Sequence, residues 1–301
     1  MSSMQMNTAH HTNLLWRFDR GLSLKEAIFA TVKDGDIVVD AGCGTGILSI
    51  WAAKAGAQRV LAIDSGDIGI GENLAKENRV SDQIRFIQAD LSDFELPDNE
   101  LCDVLLGMVY FNDPRRDTAQ AVLTSKLRNR LLHPNGSQIP DRVVYTACPI
   151  EWLNQDINTR FAEIDKKVGI MEQKYGLALG TIREAAKQVP DRDWFPLRRS
   201  SGFIDRDNAR LLSHGEDVFA EIDYTLGFQG YPEQFKCSIS QPGICNILLF
   251  SQALYAGSRL IFSNESISWI RNPLRVEPGA ELQFALDKNW VDTNVVTMEK
   301  A

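Results

Sequence analysis

The run VVDAGCGTGILSIWAAKAGAQRVLAID, residues 38–64, constrains the fold more than any other stretch of the chain. A β-rich segment ends in Asp40, glycines follow at 42, 44 and 46, and an apolar, alanine-rich segment begins at about Ile47. Glycine lets a backbone turn sharply and approach a ligand with no Cβ in the way. The next β-rich segment ends in a second acid, Asp64, 24 residues after the first. Strand, tight turn, helix and strand in that order predict two parallel strands joined over a helix, with a ligand-sized turn between them.

The same alternation continues from residue 25 to about 150. DIVVDAG, RVLAID, IRFIQAD, CDVLLGMV and RVVYTACP read as strands. GILSIWAAKAG, IGIGENLAKENR and RRDTAQAVLTSKLRNRLLHPNG read as helices at a 3.6-residue period, with Gly56 and Gly136 at their C-caps. The expectation is a doubly wound, Rossmann-like α/β sheet. Residues 155–190 then read as one or two amphipathic helices. From about 215 the chain becomes short β runs (FAEIDYTLGF, FKCSIS, NILLFSQALYAG, RLIFSN, ISWIRNP, LQFALDKNWV), the pattern of an antiparallel barrel or sandwich. A length of 301 residues agrees with more than one core.

The net charge of −8 argues against a broad nucleic-acid or membrane surface. The five cysteines (43, 102, 148, 237, 245) are odd in number, include no CxxC pair and match no zinc spacing. They are expected as buried free thiols, with no metal. The N-terminus lacks the basic start and apolar run of a signal peptide, and runs such as ICNILLF are too short to span a bilayer. A cytoplasmic protein is expected.

Two cofactor classes use a strand–glycine turn–helix. A dinucleotide site wants GxGxxG, with a pyrophosphate at the helix N-terminus. Here the spacing is G-C-G-T-G with an acid directly before it. That acid would repel a pyrophosphate and would suit the positive amino group of a methionine moiety. Asp64 can accept from both hydroxyls of a ribose, and Asp90, after IRFIQA, from an adenine amino group. Three acids at three successive strand ends fit S-adenosylmethionine better than NAD. Cys43, Ile47, Ser65, Leu91 and Gly107 are expected beside them, with Gly42, Gly44 and Gly46 forming the turn.

These residues resemble the class I methyltransferases, and specifically the protein arginine methyltransferase family. CGTGILSIWAAKAGA is similar to the family almost residue for residue. HTNLLWRFDR, residues 11–20, resembles its N-terminal helix, whose arginine meets the cofactor carboxylate; the resemblance makes Arg20 that residue. LLHPNGSQIPDRVVY, residues 131–145, resembles the passage into the family's β-barrel, and SWIRNPLRVEPG, 268–279, its histidine–tryptophan loop. The resemblance implies an N-terminal cofactor-covering helix (1–24) and a Rossmann-like domain (25–150). It further implies a helical connector and candidate dimerisation segment (151–214), a β-barrel-like substrate domain (215–301) and a homodimer.

One stretch departs from the family. Its substrate hairpin brackets a guanidinium with two glutamates, and GMVYFNDPRRD, 107–117, has neither. Aligned on Tyr110 and Phe111, the first falls near Gly107 or Met108 and the second at about Arg115; Ser268 stands where the family has histidine, while Trp269 remains. Paired carboxylates are what desolvates and orients a guanidinium. Arg115 and Arg116 would repel it and would suit a carboxylate or phosphate; their bland alternative is a solvated helix start. Tyr110 and Trp269 are the candidates to orient an acceptor or steady a sulfonium, against a plain role as core aromatics. Asp113 reads as a helix cap, and His10, His11, His133 and His214 as structural or solvated. Met108, Tyr110, Arg115, Arg116 and Trp269 are thus the candidate acceptor-binding set.

Three readings follow. The first is a methyltransferase acting on a small, anionic or electron-rich metabolite. The second is a peptide methyltransferase with a non-arginine acceptor. The third is an inactive scaffold that keeps the cofactor site.

Overall fold

In the computed structural model, the α/β region is a five-stranded parallel sheet ordered β3-β2-β1-β4-β5. The structure describes residues 18–97, 100–107, 114–152, 157–175, 177–188, 209–215, 217–228, 230–286 and 291–298. The strands are β1 (Ile37–Ala41), β2 (Arg59–Asp64), β3 (Ile84–Gln88), β4 (Cys102–Gly107) and β5 (Leu132–Ile139). Helix α1 (Phe18–Thr31) precedes the sheet, and α2 (Ile47–Lys54), α3 (Gly69–Glu77) and α4 (Pro114–Leu131) connect its strands. β1 is central and buried from Val38 onward, as a strand covered on both faces must be. The chain steps outward from β1 to β3 and returns on the other side at β4. That reversal makes the carboxyl ends of β1 and β4 the topological switch point, where open α/β sheets place their ligands.

The fifth strand is a correction. RVVYTACP was expected to fill that place, and LHPNG to end a helix capped by Gly136. Instead α4 stops at Leu131 and LHPNGSQI is itself β5. The edge position tolerates Pro134, and the pairing slips between Cys102↔Leu132 and Val104↔Ser137, so a bulge absorbs the turn-like residues. Gly136 is a strand glycine at a close approach: a Cβ there would lie 2.8 Å from the Asp103 carbonyl oxygen.

β6 (Arg142–Trp152) belongs to the second sheet, pairing antiparallel with β8 (Asp217–Asp223) and β10 (Gly243–Ala256). Asp141 turns the chain there: its N–H donates to Tyr255 (3.0 Å), its carbonyl accepts from Tyr224 (3.0 Å) and Oδ2 accepts from the Gly257 N–H (2.8 Å). The second sheet runs β7-β6-β10-β11-β13-β12-β9. Its remaining strands are β7 (Ala209–Leu211), β9 (Gln234–Ser238), β11 (Arg259–Val276), β12 (Ala280–Leu286) and β13 (Val291–Met298). It is antiparallel apart from the β11–β13 contact at Ile270↔Val291. The Ser238 N–H reaches Asp217 Oδ2 (3.3 Å), bringing the last strand back beside β8. RLIFSN and ISWIRNP, expected as two strands, form one, because the polar residues between them pair with polar residues of β10: Asn264↔Gln252 and Glu265↔Ser251.

Between β6 and β7 stand α5 (Ile157–Tyr175) and α6 (Gly180–Gln188), the expected helical segment. Ile164, Val168 and Ala186 form a small core of their own there. A larger apolar cluster runs from Leu24 and Ile28 of α1 through Ala53 and Val38 to Tyr145, Leu254 and Phe262, joining the two sheets. All five cysteines are free and buried, as expected. No described helix is long and apolar enough to cross a membrane.

Candidate functional site

The glycine turn sits on the carboxyl end of β2. The N–H groups of Gly42 and Cys43 both donate to the Ile63 carbonyl, at 2.8 and 2.9 Å, and the Gly46 N–H closes the turn on the Cys43 carbonyl at 2.8 Å. Gly46 has φ +73°, and a Cβ on it would meet the Phe86 ring at 2.9 Å. Both facts require glycine where the loop becomes α2.

Asp64 lies between two loops. Its Oδ2 accepts from the Gly44 N–H (2.9 Å) and its Oδ1 from the Gly66 N–H (2.8 Å). Each oxygen keeps a further lone pair, so a pair of ligand hydroxyls fits. Ser65 lies between Asp64 and Gly66, in the turn that leaves β2.

Asp40 is buried to 1% exposure. Its Oδ2 accepts from the Ser49 hydroxyl at 2.6 Å, and among the described residues no lysine or arginine pairs with it. Burial pushes the Asp40 carboxyl up to about 6; the Ser49 hydroxyl acts the other way and the neighbouring Asp64 charge adds to the rise. Burial likewise pushes the Cys43 thiol far up, so it stands in the turn as a neutral thiol. A buried carboxyl without a cation, beside a second acid, is chemically a demand for positive charge.

The third acid stands two residues beyond β3. Asp90 is exposed, and its Oδ1 accepts from the Ser92 N–H at 2.8 Å and the Ser92 hydroxyl at 2.5 Å, which hold it below the usual carboxylate range. The Ala89 N–H donates to the Asp64 carbonyl (2.9 Å), which keeps the β2 and β3 ends together. Arg130, from the far end of α4, clamps the turn by donating to the carbonyls of Leu91 (2.7 Å) and Ser92 (2.8 Å). Nothing near residues 90–92 in sequence announces that arginine.

Arg20 lies in the first turn of α1, its guanidinium 5.0 Å from the centroid of the Phe262 ring on β11. An ion pair between Glu26 and Arg259 (2.6 Å) also ties α1 to β11, and Gly21 lies close to Trp51 of α2. The helix expected to cover the cofactor therefore leans on both sheets.

β4 ends at Gly107, which packs near Thr124 of α4. Met108, Tyr110, Phe111 and Asp113 lie outside the described residues, as do His10 and His11. Arg115 and Arg116 fall in the first turn of α4, and Trp269 on β11 opposite Ile247; the side chains of these three are likewise outside what is described. Ser268 is buried.

The same region holds a buried acid that sequence reasoning missed. Asp117 Oδ2 accepts from the Tyr145 hydroxyl (2.8 Å) and from Gln252 Nε2 (2.7 Å). The Tyr145 oxygen accepts in turn from Gln252 Nε2 (2.7 Å) and from the Tyr231 hydroxyl (2.9 Å). Burial and the Asp117 charge push the Tyr145 phenol far up, so it stays a donor. Asp117 precedes Thr124 by two helical turns, about 10 Å along the helix axis. It therefore stands beyond the carboxyl end of β4, between the two sheets. An acid in a helix's first turn reads from sequence as a partner of the helix dipole, which is why its tertiary role was not legible.

Comparison with known proteins points the same way. The family described as ribosomal protein L11 methyltransferase (PrmA) matches residues 22–109. The chain is 28% identical over 181 residues to probable protein arginine N-methyltransferase 6 of Arabidopsis thaliana, which covers 59% of this chain and 39% of that protein. It is 32% identical over 187 residues to protein arginine N-methyltransferase 1 of Schizosaccharomyces pombe, covering 60% of this chain and 51% of that protein. The chain thus spans about half or less of the length of these relatives. Among solved structures it is similar to the Trypanosoma brucei PRMT1 enzyme–prozyme heterotetrameric complex with AdoHcy (TM-score 0.69, 21% identity, 97% of this chain and 93% of that one). Protein arginine methyltransferase 10 of Arabidopsis thaliana, in an open conformation, gives a TM-score of 0.65 at 19% identity, with 92% and 87% covered. Identities this low speak for the fold alone. In sequence and in fold, the chain resembles the class I S-adenosylmethionine-dependent methyltransferases and, among them, the protein arginine methyltransferases.

Proposed function

We propose that this chain binds S-adenosylmethionine at the carboxyl ends of β1, β2 and β3 and transfers its methyl group to an acceptor other than a guanidinium. The observation that carries the cofactor is the pair of acids on the glycine turn: buried Asp40, with no cation among the described residues, and Asp64, with a lone pair left on each oxygen. When bound, the cofactor supplies an electrophilic methyl on a sulfonium. Asp40 and Cys43 face its amino-acid end, Gly42, Gly44, Gly46 and Ile47 line the turn, and Arg20 takes the carboxylate. Asp64 and Ser65 hold the ribose, and Asp90, Leu91 and Gly107 the adenine side. These residues need to do little beyond aligning two partners in a dry crevice, which lowers a barrier by up to about 7–11 kcal/mol.

The acceptor follows from what the loop after β4 carries. GMVYFNDPRRD has no pair of acids to hold a guanidinium and has two arginines at the start of α4. A small anionic or electron-rich metabolite suits Arg115 and Arg116, with Met108, Tyr110 and Trp269 as walls. A second reading, a peptide with a non-arginine acceptor, draws on relatives named as protein arginine N-methyltransferases and on the net charge of −8, which favours basic partners. We further infer a homodimer, because α5 and α6 form a hairpin with its own core that leaves Ile170, Tyr175, Leu177 and Ile182 exposed.

Calorimetry with S-adenosylhomocysteine on the wild type, Asp64→Ala and Arg115→Ala/Arg116→Ala tests the site. The wild type and the arginine double variant are expected to bind alike and Asp64→Ala at least tenfold more weakly. Labelled transfer to anionic and aromatic metabolites, to basic peptides and to an arginine peptide then tests the acceptor. Preferred methylation of the arginine peptide would overturn the non-guanidinium reading. Binding without transfer to any of them would leave a scaffold.

A further inference from the structure

The strand-end acids are accounted for by the cofactor reading; Ser49 is not. It is the third residue of α2, is wholly buried, and spends its hydroxyl on one atom, Asp40 Oδ2, at 2.6 Å. A serine inside a helix gains little for the helix itself. Its backbone N–H also faces the Asp40 carboxyl. Among the described residues, the titratable groups around Asp40 are Asp64 from the end of β2, whose charge opposes a second negative charge, and Cys43 from the turn, a neutral thiol that burial and the Asp40 charge push up. Its register neighbours, Ala62 on β2 and Leu106 on β4, carry no polar side chain. Ser49 is thus the side chain that favours an ionised Asp40, against burial and a second acid.

We propose that Ser49 is a positioning residue that holds Asp40 as an oriented, charged carboxylate for the ammonium end of the cofactor's amino acid. This rests on the cofactor reading above. The short bond fixes one carboxylate oxygen toward α2 and leaves the other for the ligand. It also makes binding little coupled to protons at neutral pH. With Asp40 near 6, the ligand meets an acid that has already lost its proton. Without the hydroxyl, binding has to strip the proton first.

The test is S-adenosylhomocysteine affinity by calorimetry from pH 5.5 to 8 for the wild type, Ser49→Ala and Ser49→Thr. In the wild type, affinity rises with pH and levels off above about 6. Losing one hydrogen bond to the charged form moves the Ser49→Ala bend up by about one pH unit. Binding is then about fivefold weaker at pH 6 and within twofold of wild type at pH 8. Ser49→Thr keeps the hydroxyl and the wild-type bend. 5′-Methylthioadenosine, which lacks the ammonium, gives a flat profile with wild type and variant alike. A merely structural role would weaken binding equally at every pH and leave the bend in place, which overturns the proposal. If Ser49→Ala does not fold, proton release by the wild type decides. Binding at pH 6 in two buffers of different ionisation enthalpy releases about half a proton, and none in Asp40→Asn; no release by the wild type overturns the proposal. Absence of any S-adenosylhomocysteine binding by the wild type would instead sink the cofactor reading beneath it.

Discussion

Asp40 also couples stability to pH. Its folded value of about 6 lies above the ordinary 3.8, so between the two the native state holds a proton that the unfolded chain has released. Stability contributed by this group is therefore present at low pH and lost as pH rises through that window, by about 3 kcal/mol at roughly 1.4 kcal/mol per unit. Asp40→Asn is expected to remove that decline. Urea denaturation of both proteins between pH 4 and 7 checks it, and superimposable profiles would refute the burial argument. Tyr145 makes a second residue-scale case. Tyr145→Phe leaves buried Asp117 short of a donor and interrupts the contact with Tyr231. A loss of about 1–3 kcal/mol is expected by the same method, and a neutral result would mean that water replaces the phenol.

Among the elements, the turns at the strand ends are held from outside themselves. The 90–93 turn depends on Arg130, the next-to-last residue of α4, for two of its carbonyl partners. Arg130→Ala is expected to weaken S-adenosylhomocysteine binding about five- to tenfold, as the loss of charge-assisted hydrogen bonds implies, with Asp64 and the glycine turn unaffected. Calorimetry reads this directly, and unchanged affinity would show that the adenine side does not need the turn fixed. The glycine turn itself is rigid by conformation. Gly46→Ala meets both a positive φ and the Phe86 ring, so destabilisation of about 1–3 kcal/mol is expected in thermal melts; a neutral substitution would show that the ring can give way.

At the scale of the whole molecule, the α5–α6 hairpin exposes Tyr175, Leu177 and Ile182 beside Ile170, and α1 exposes Phe18, Leu22 and Phe29. Apolar side chains exposed together on one helical hairpin are what a subunit interface would cover. Ile170→Asp combined with Leu177→Asp is expected to convert a dimer into a monomer in light scattering while S-adenosylhomocysteine still binds. A wild type that is monomeric at high micromolar concentration would refute the dimer.

The glycine turn was legible because its chemistry is local. Asp40, the three glycines and Asp64 lie within one strand–turn–helix–strand passage, and backbone sterics with charge complementarity leave few uses for that order. The helical pair between 157 and 188 was legible through its period, and the five buried thiols through their number and spacing. Partnership across long separations was not. LHPNGSQI looks like a helix end until β4 offers an edge and a bulge absorbs it. RVVYTACP reads as a strand in either sheet, and Asp141 with its partners near residues 224 and 255 assigns it to the second. Asp117 finds Tyr145 and Gln252, 28 and 135 residues away, only once two sheets face one another. The sequence by itself determined the local turn, its acids and the periodicities, since short-range sterics and hydrogen bonds decide those. The tertiary structure decided which strands share a sheet, which buried polar groups meet and which arginine clamps the turn after β3, because those depend on pairings that no local pattern encodes.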